Sequence, residues 1–211
     1  MLLFIPFLGQ SHLFDWDEIN FAEAAREMIV TGDYLRVQIN FQMFWEKPPF
    51  FIWLQVLSMK VFGINEFAAR FPNALLGVIS ANLLLFLGRK LKDQFFGLIW
   101  ASCYLCSTLP LLYFKSGIID PWFNTFIFFG IILYYFGLNR NRILYPLLSG
   151  ISIGLAILTK GPVALLIYGL VISIYHLINW KRECINIKHA VIIALSTITI
   201  PGLWFLYDYI N

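Results

Sequence analysis

Pro121–Leu138, PWFNTFIFFGIILYYFGL, decides the fold, together with Ile143–Leu158, ILYPLLSGISIGLAIL, and Pro162–Ile178, PVALLIYGLVISIYHLI, which follow it. None of the three holds an Asp, Glu, Lys or Arg. Each approaches the roughly 20 mostly apolar residues that cross about 30 Å of hydrocarbon. Similar runs lie at Phe71–Leu87, Phe95–Leu112 and Ala190–Tyr207. Across all 211 residues, 60% are apolar and 13% charged, and the mean hydropathy is +0.75. That composition does not make a water-facing surface, and it excludes disorder, a collagen-like fibre and a nucleic-acid-binding domain. The net charge of +3 is too small to imply a polyanionic partner. The predicted fold class is all-α: a polytopic helical membrane protein with about six transmembrane helices in residues 68–211.

The charges set the topology. Arg89, Lys90 and Lys92 follow the first run, Arg140 and Arg142 the third, and Lys181, Arg182 and Lys188 the fifth. By the positive-inside rule these short connectors face the cytoplasm. Of the 12 acidic residues, only Asp93 and Glu183 fall in them. The segment 15–67, the turn near Asp120 and the turn near Lys160 are then expected on the non-cytoplasmic side.

Residues 1–14 are apolar but short of a span, and read as the end of a first transmembrane helix. Residues 15–67 are the only long polar stretch, and the expected seat of chemistry. Within it, Ile19–Val30 reads as an interfacial amphipathic helix: Phe21, Ala25, Met28 and Ile29 share one side, Asn20, Glu23 and Glu27 another, and Gly32 ends it. Pro49–Phe62 is too short to span, and reads as a second surface helix. Cys103, Cys106 and Cys184 suit small core side chains better than a metal or redox pair.

Four polar elements stand out. Asp15-Trp16-Asp17-Glu18 clusters carboxylates ahead of a helix, where capping and dipole interactions account for them as readily as catalysis does. Glu46-Lys47-Pro48-Pro49 sets a carboxylate and an ammonium before two φ-restricted residues. The lysine fits a lipid phosphate or an ordinary snorkelling position. Asp120-Pro121 opens a span, as a plain N-cap also does. Lys160-Gly161-Pro162 places a lone cation at a turn between spans.

In their order and context these elements resemble the integral-membrane C-type glycosyltransferases that use polyprenyl-phosphate sugars, in the branch of the protein O-mannosyltransferases and the lipid A aminoarabinose transferase. The resemblance covers nearly all 211 residues and the N-terminal portion of such enzymes, which continue into further helices and an outer domain. It implies Asp17 as catalytic acid/base and Asp120 as the acid required at the second outer turn. It implies Lys47 and Lys160 as phosphate-contacting cations, Glu46 as a metal ligand for a divalent cation, and Glu18 and Asn20 as substrate contacts. Asn20 and Phe21 stand where aminoarabinose transferases carry Arg and Tyr, so the sugar is left open. The implied partners are a polyprenyl-phosphate-linked sugar donor, a hydroxyl acceptor on lipid A, a protein or a surface glycan, and the lipid bilayer. The implied location is the bacterial inner membrane, with the site facing outward. A transporter or flippase ranks lower, because its charges belong at the midplane and its halves repeat. A purely structural membrane subunit ranks third.

The one-face topology is directly testable. Single cysteines at Asn20, Ile119 and Gly161 are expected to react with an impermeant maleimide added outside, and one at Asn141 is not. Reaction of Asn20 and the Asp120 turn from opposite sides would refute it.

Overall fold

The computed structural model describes residues 3–14, 16–138, 142–179 and 187–210. Asp15, Arg140, Asn141, Lys181, Arg182, Glu183 and Cys184 lie outside the described residues. The architecture is α-helical, with one two-stranded antiparallel ribbon among the described residues. The chain divides into two units, Met1–Phe44 with Phe51–Pro121, and Trp45–Phe50 with Trp122–Asn211.

In the first unit, α1 (Asp17–Thr31) buries Phe21, Ala22, Ala24, Ala25 and Met28. It stops at Gly32, whose left-handed φ of 73° turns its N–H onto Met28 O, as the sequence predicts. The expected polar side is less simple, because Glu27 is fully buried. Its Oε2 accepts the N–H of Phe41 at 2.9 Å. Phe41 and Asn40 both have positive φ, 57° and 55°, and join β1 (Gln38–Ile39) to β2 (Gln42–Met43). A two-residue loop of that hand matches the twist of a hairpin, and Glu27 anchors it to α1.

Helix α2 (Phe50–Phe62, 13 residues) is too short to span. Asn65 then caps α3 (Glu66–Leu91) by accepting from Ala68 N. The expected run Phe95–Leu112 is not one helix: α4 (Gln94–Cys106) and α5 (Thr108–Phe114) meet at a 70° bend. Pro110 has no N–H to give Cys106 O and crowds that carbonyl, which breaks the run there. Cys103 and Cys106 are free and exposed.

Residues 3–14, expected to end a helix, form a succession of turns instead. The cause is Arg70, 2% exposed. Its Nη1 donates to the carbonyls of Leu8 (2.7 Å) and Ser11 (2.8 Å), and Nη2 to that of His12 (2.8 Å). These carbonyls are spent on a side chain rather than on helical N–H groups, while Phe4 and Leu8 go into the core.

In the second unit, α6 (Asp120–Gly137), α7 (Leu144–Lys160), α8 (Val163–Ile178) and α9 (Ile187–Ile210) correspond to the remaining expected runs. Phe123, Ile127, Ile153, Ala156, Ile157, Ala164, Tyr168 and Ile193 form its core. Small residues let α7 and α9 touch, as in membrane helix pairs. A side chain at Gly150 would overlap Ser196 Oγ and lie 2.6 Å from Ile193 O. Among the described residues two helices, α3 and α9, are long and apolar enough to cross a membrane, and three if α4 with α5 counts as one span. α6, α7 and α8 have 18, 17 and 16 residues. The protein is an all-α membrane protein, as expected.

Gly150→Val is expected to force α7 and α9 apart. Its melting temperature in detergent should fall well below that of Gly169→Val, because Gly169 has nothing within 4 Å of its added Cβ. Equal melting temperatures would show that the small-residue contact is not limiting.

Arg70→Met is expected to cost about 3–5 kcal/mol in denaturant unfolding, the penalty for leaving a buried charge unpaired, with part recovered by adding Glu18→Gln. A double variant no more stable than Arg70→Met would show that the pair is not coupled.

Candidate active site

Glu18, expected to contact substrate, is 1% exposed and fully engaged within the protein. Its Oε1 accepts from Arg70 Nε at 2.8 Å and from Gly117 N, and its Oε2 from Arg70 Nη2 at 2.9 Å and Phe14 N at 2.7 Å. The reading of Glu18 as a substrate contact is therefore corrected: it is the carboxylate that neutralises a buried guanidinium. Asn73, one helical turn beyond Arg70, is also buried, and donates from Nδ2 to Ser116 O and Ile118 O, both at 2.7 Å. Gly117 sits where a Cβ would come within 3.2 Å of Ala69 O and Glu18 Cγ, so a larger residue must push the backbone or the buried carboxylate aside by a few tenths of an ångström.

That network places both candidate acids of the first unit. Asp17 precedes Glu18, opens α1 and is exposed. Asp120 follows the clamped Ser116–Ile118 turn, opens α6 and is half-buried. Two carboxylates far apart in sequence are thus attached to the two ends of one hydrogen-bonded cluster. Asn20 is half-buried, and its backbone N–H donates to Trp16 O at 3.0 Å. Ile119 is 2% exposed, so maleimide accessibility of this turn is better read at half-buried Ile118.

Among the described residues no side chain caps α1. The N-cap is Trp16, with φ 71° and ψ −96°. Such a conformation costs a non-glycine residue on the order of 1–3 kcal/mol, and persists only when its surroundings over-determine it. Glu18 Oε2 accepts the N–H of Phe14 at 2.7 Å, which ties the chain before Trp16 back to α1. On the outer surface of α1, Arg26 gives Glu23 a two-pronged bond, at 2.8 and 2.6 Å, and the hydrogen-bonded guanidinium holds the Glu23 carboxyl below its ordinary range.

In the second unit, Pro48 and Pro49 are buried, Lys47 half-buried and Glu46 exposed. The Phe50 ring that follows packs edge-on against Trp122 at 5.9 Å and Phe126 at 5.1 Å. Lys160, exposed at the end of α7, has its Nζ 5.7 Å from the centre of the Phe123 ring. The segment carrying Lys47 and the ammonium of Lys160 are therefore both tied to the first turns of α6. Gly161, at φ 92°, reverses the chain beyond Lys160.

A divalent cation is implied at Glu46, but among the described residues no three His, Cys, Asp or Glu side chains gather as a metal site. The single exposed carboxylate of Glu46 does not by itself make a protein-built site. Sequence reasoning missed Arg70, Asn73 and Glu27. The available signal was Arg70 itself, a guanidinium at the edge of an apolar run, which is costly unless paired.

Residues 46–205 match the family model described as dolichyl-phosphate-mannose-protein mannosyltransferase. An uncharacterized protein from Aquifex aeolicus is 28% identical over the whole chain and 42% of its own length. The undecaprenyl phosphate-alpha-4-amino-4-deoxy-L-arabinose arabinosyl transferase of Pectobacterium atrosepticum is 31% identical over 78% of this chain and 30% of its own. The solved structure of ArnT from Cupriavidus metallidurans bound to undecaprenyl phosphate superposes with a TM-score of 0.87 at 24% identity, covering 98% of this chain and 39% of that one. The chain spans less than half the length of these relatives. With the family match covering most of its residues, the chain belongs to the dolichyl-phosphate-mannose-protein mannosyltransferase family.

Proposed function

We propose that this chain carries the donor-side active site of a membrane glycosyltransferase. The enzyme moves a sugar from a polyprenyl phosphate to a hydroxyl acceptor on the outer face of the bacterial inner membrane. The observation that carries the reading is the Glu18–Arg70–Gly117–Asn73 network, which leaves Asp17 exposed while fixing its backbone. A merely structural acidic cluster would spend Asp17 as a cap, whereas here the capping position is Trp16.

In the reaction, the acceptor oxygen bonds to the anomeric carbon as the bond from that carbon to the phosphate oxygen breaks. The hydroxyl proton passes to the Asp17 carboxylate, and the electron pair of the broken bond leaves on the polyprenyl phosphate. General-base help of this kind is worth ~10²–10⁴-fold. Lys47 and Lys160 offset the charge on the departing phosphate, an electrostatic role that grows as the bond breaks. Asp120 acts as the second acid, orienting donor or acceptor hydroxyls. The lipid carrier reaches the site by lateral diffusion, and the acceptor is a lipid A, protein or glycan hydroxyl.

The test is transfer in proteoliposomes, using undecaprenyl-phosphate-linked 4-amino-4-deoxy-L-arabinose and undecaprenyl-phosphate-linked mannose. Asp17→Asn is expected to lower kcat by ~10²–10⁴-fold with insertion unchanged. Lys47→Ala is expected to impair use of the lipid-linked donor, because it removes phosphate neutralisation rather than proton transfer. Wild-type turnover by Asp17→Asn would remove Asp17 from the mechanism.

A further inference from the structure

Between α1 and the link from α2 to α3, the first unit holds a cleft of about 260 Å³. Ile19, Met59 and Ile64 give it an apolar floor, and Glu23, Arg26 and Glu66 a charged rim. Two N–H groups of Arg26 are given to Glu23. Glu66, half-buried in the first turn of α3, has the exposed His12 ring at 3.8 Å, too long for a hydrogen bond. Within hydrogen-bond reach of Glu23 lies Glu27, which is fully buried. Its Oε2 accepts from Phe41 N, and its Oε1 has no hydrogen-bond partner among the described residues. Three carboxyl groups thus share one guanidinium, and a buried acceptor beside the rim goes without a donor. Such a shortage is costly unless something supplies the donor.

We propose that this cleft binds a phospholipid with a primary-ammonium head group. The site is separate from the transfer reaction, since Ile19 lies roughly 200° around α1 from Asp17. The ammonium brings N–H donors to Glu23 and Glu66, and the phosphate takes the N–H groups that Arg26 does not give to Glu23. The glycerol and first methylenes cover Ile19, Met59 and Ile64, and the chains run on over Val61 and Phe62, both exposed at the end of α2. A choline head has no N–H to give, and a head with phosphate alone adds negative charge to a rim already short of cations. An inorganic cation fits less well: among the described residues the carboxylates do not gather as a metal site, and an ion leaves the apolar floor uncovered. A first-turn carboxylate at Glu66 also suits the dipole of α3, but that accounts for neither the apolar floor nor the unpaired oxygen of Glu27.

The experiment is native mass spectrometry of the delipidated full chain, titrated with phosphatidylethanolamine, phosphatidylcholine and phosphatidylglycerol of identical acyl chains. Phosphatidylethanolamine is expected to bind about tenfold more tightly than either of the others. Glu66→Gln should remove that preference and leave phosphatidylcholine binding unchanged, and Glu66→Asp should keep most of it. Equal binding of the three lipids would make the cleft an ordinary stretch of lipid-covered surface and overturn the proposal, as would a preference that survives Glu66→Gln. A second measurement fixes the place without altering the rim: a photo-crosslinking benzoylphenylalanine at exposed position 64 should capture labelled phosphatidylethanolamine, with unlabelled phosphatidylethanolamine competing and phosphatidylcholine not. No capture, or equal competition by both lipids, overturns the proposal. Sugar transfer is not a readout in either measurement, so failure here leaves the glycosyltransferase reading where it stands.

Discussion

The first unit depends on one charge being neutralised. Arg70 lies at the start of a long apolar helix, where an unpaired guanidinium is strongly unfavourable, and Glu18 is the carboxylate that makes it tolerable. Once the pair forms, the remaining guanidinium hydrogens need acceptors, and the carbonyls of Leu8, Ser11 and His12 supply them. That demand dictates the turns of residues 3–14. The remaining acceptor capacity of Glu18 takes the N–H groups of Phe14 and Gly117. Two loops and two helices are thus organised around one ion pair whose worth lies in geometry more than in net stability.

The second buried carboxylate, Glu27, works the same way over a shorter range. It fixes the hairpin through the N–H of Phe41, with the Phe44 N–H bound back to Val37 O at 2.9 Å. The chain leaves that hairpin directly into Trp45-Glu46-Lys47, where two prolines limit the backbone and Phe50 seats on Trp122 and Phe126. Within the second unit, Lys47 therefore stands on a segment restrained by Pro48, Pro49 and the seat of Phe50. The phosphate contact proposed for Lys47 would gain from this, because less backbone freedom is lost on binding.

Much of this was legible in the sequence, for identifiable reasons. Apolar runs free of charge gave the helices, since burial or lipid is the only environment that accepts them. Gly32 gave the end of α1, because few other residues adopt its φ cheaply. The break between α4 and α5 was written in Pro110, but a hydropathy reading averages over it. The turns at 3–14 were not legible locally, as their cause is a side chain 62 and 59 positions away from Leu8 and Ser11. For the proposed site, residue types and order single out Asp17, Asp120, Lys47 and Lys160 as candidates, whereas the structural role of Glu18 depends on its partner Arg70.

Glu18 and Asp17 show why adjacency in a motif does not mean a shared role. Neighbouring residues at the start of a helix point about 100° apart, so one side chain of such a pair enters the core while the other faces out. The inward carboxylate acquires four donors and an opposite charge. Spent in this way, it has no lone pair in reach of a reacting hydroxyl. The outward carboxylate of Asp17 stays exposed, on a backbone tied down by its neighbour's hydrogen bonds. In the proposed mechanism a motif of two acids therefore divides the work: Glu18 holds the place, and Asp17 stands exposed for the chemistry proposed for it.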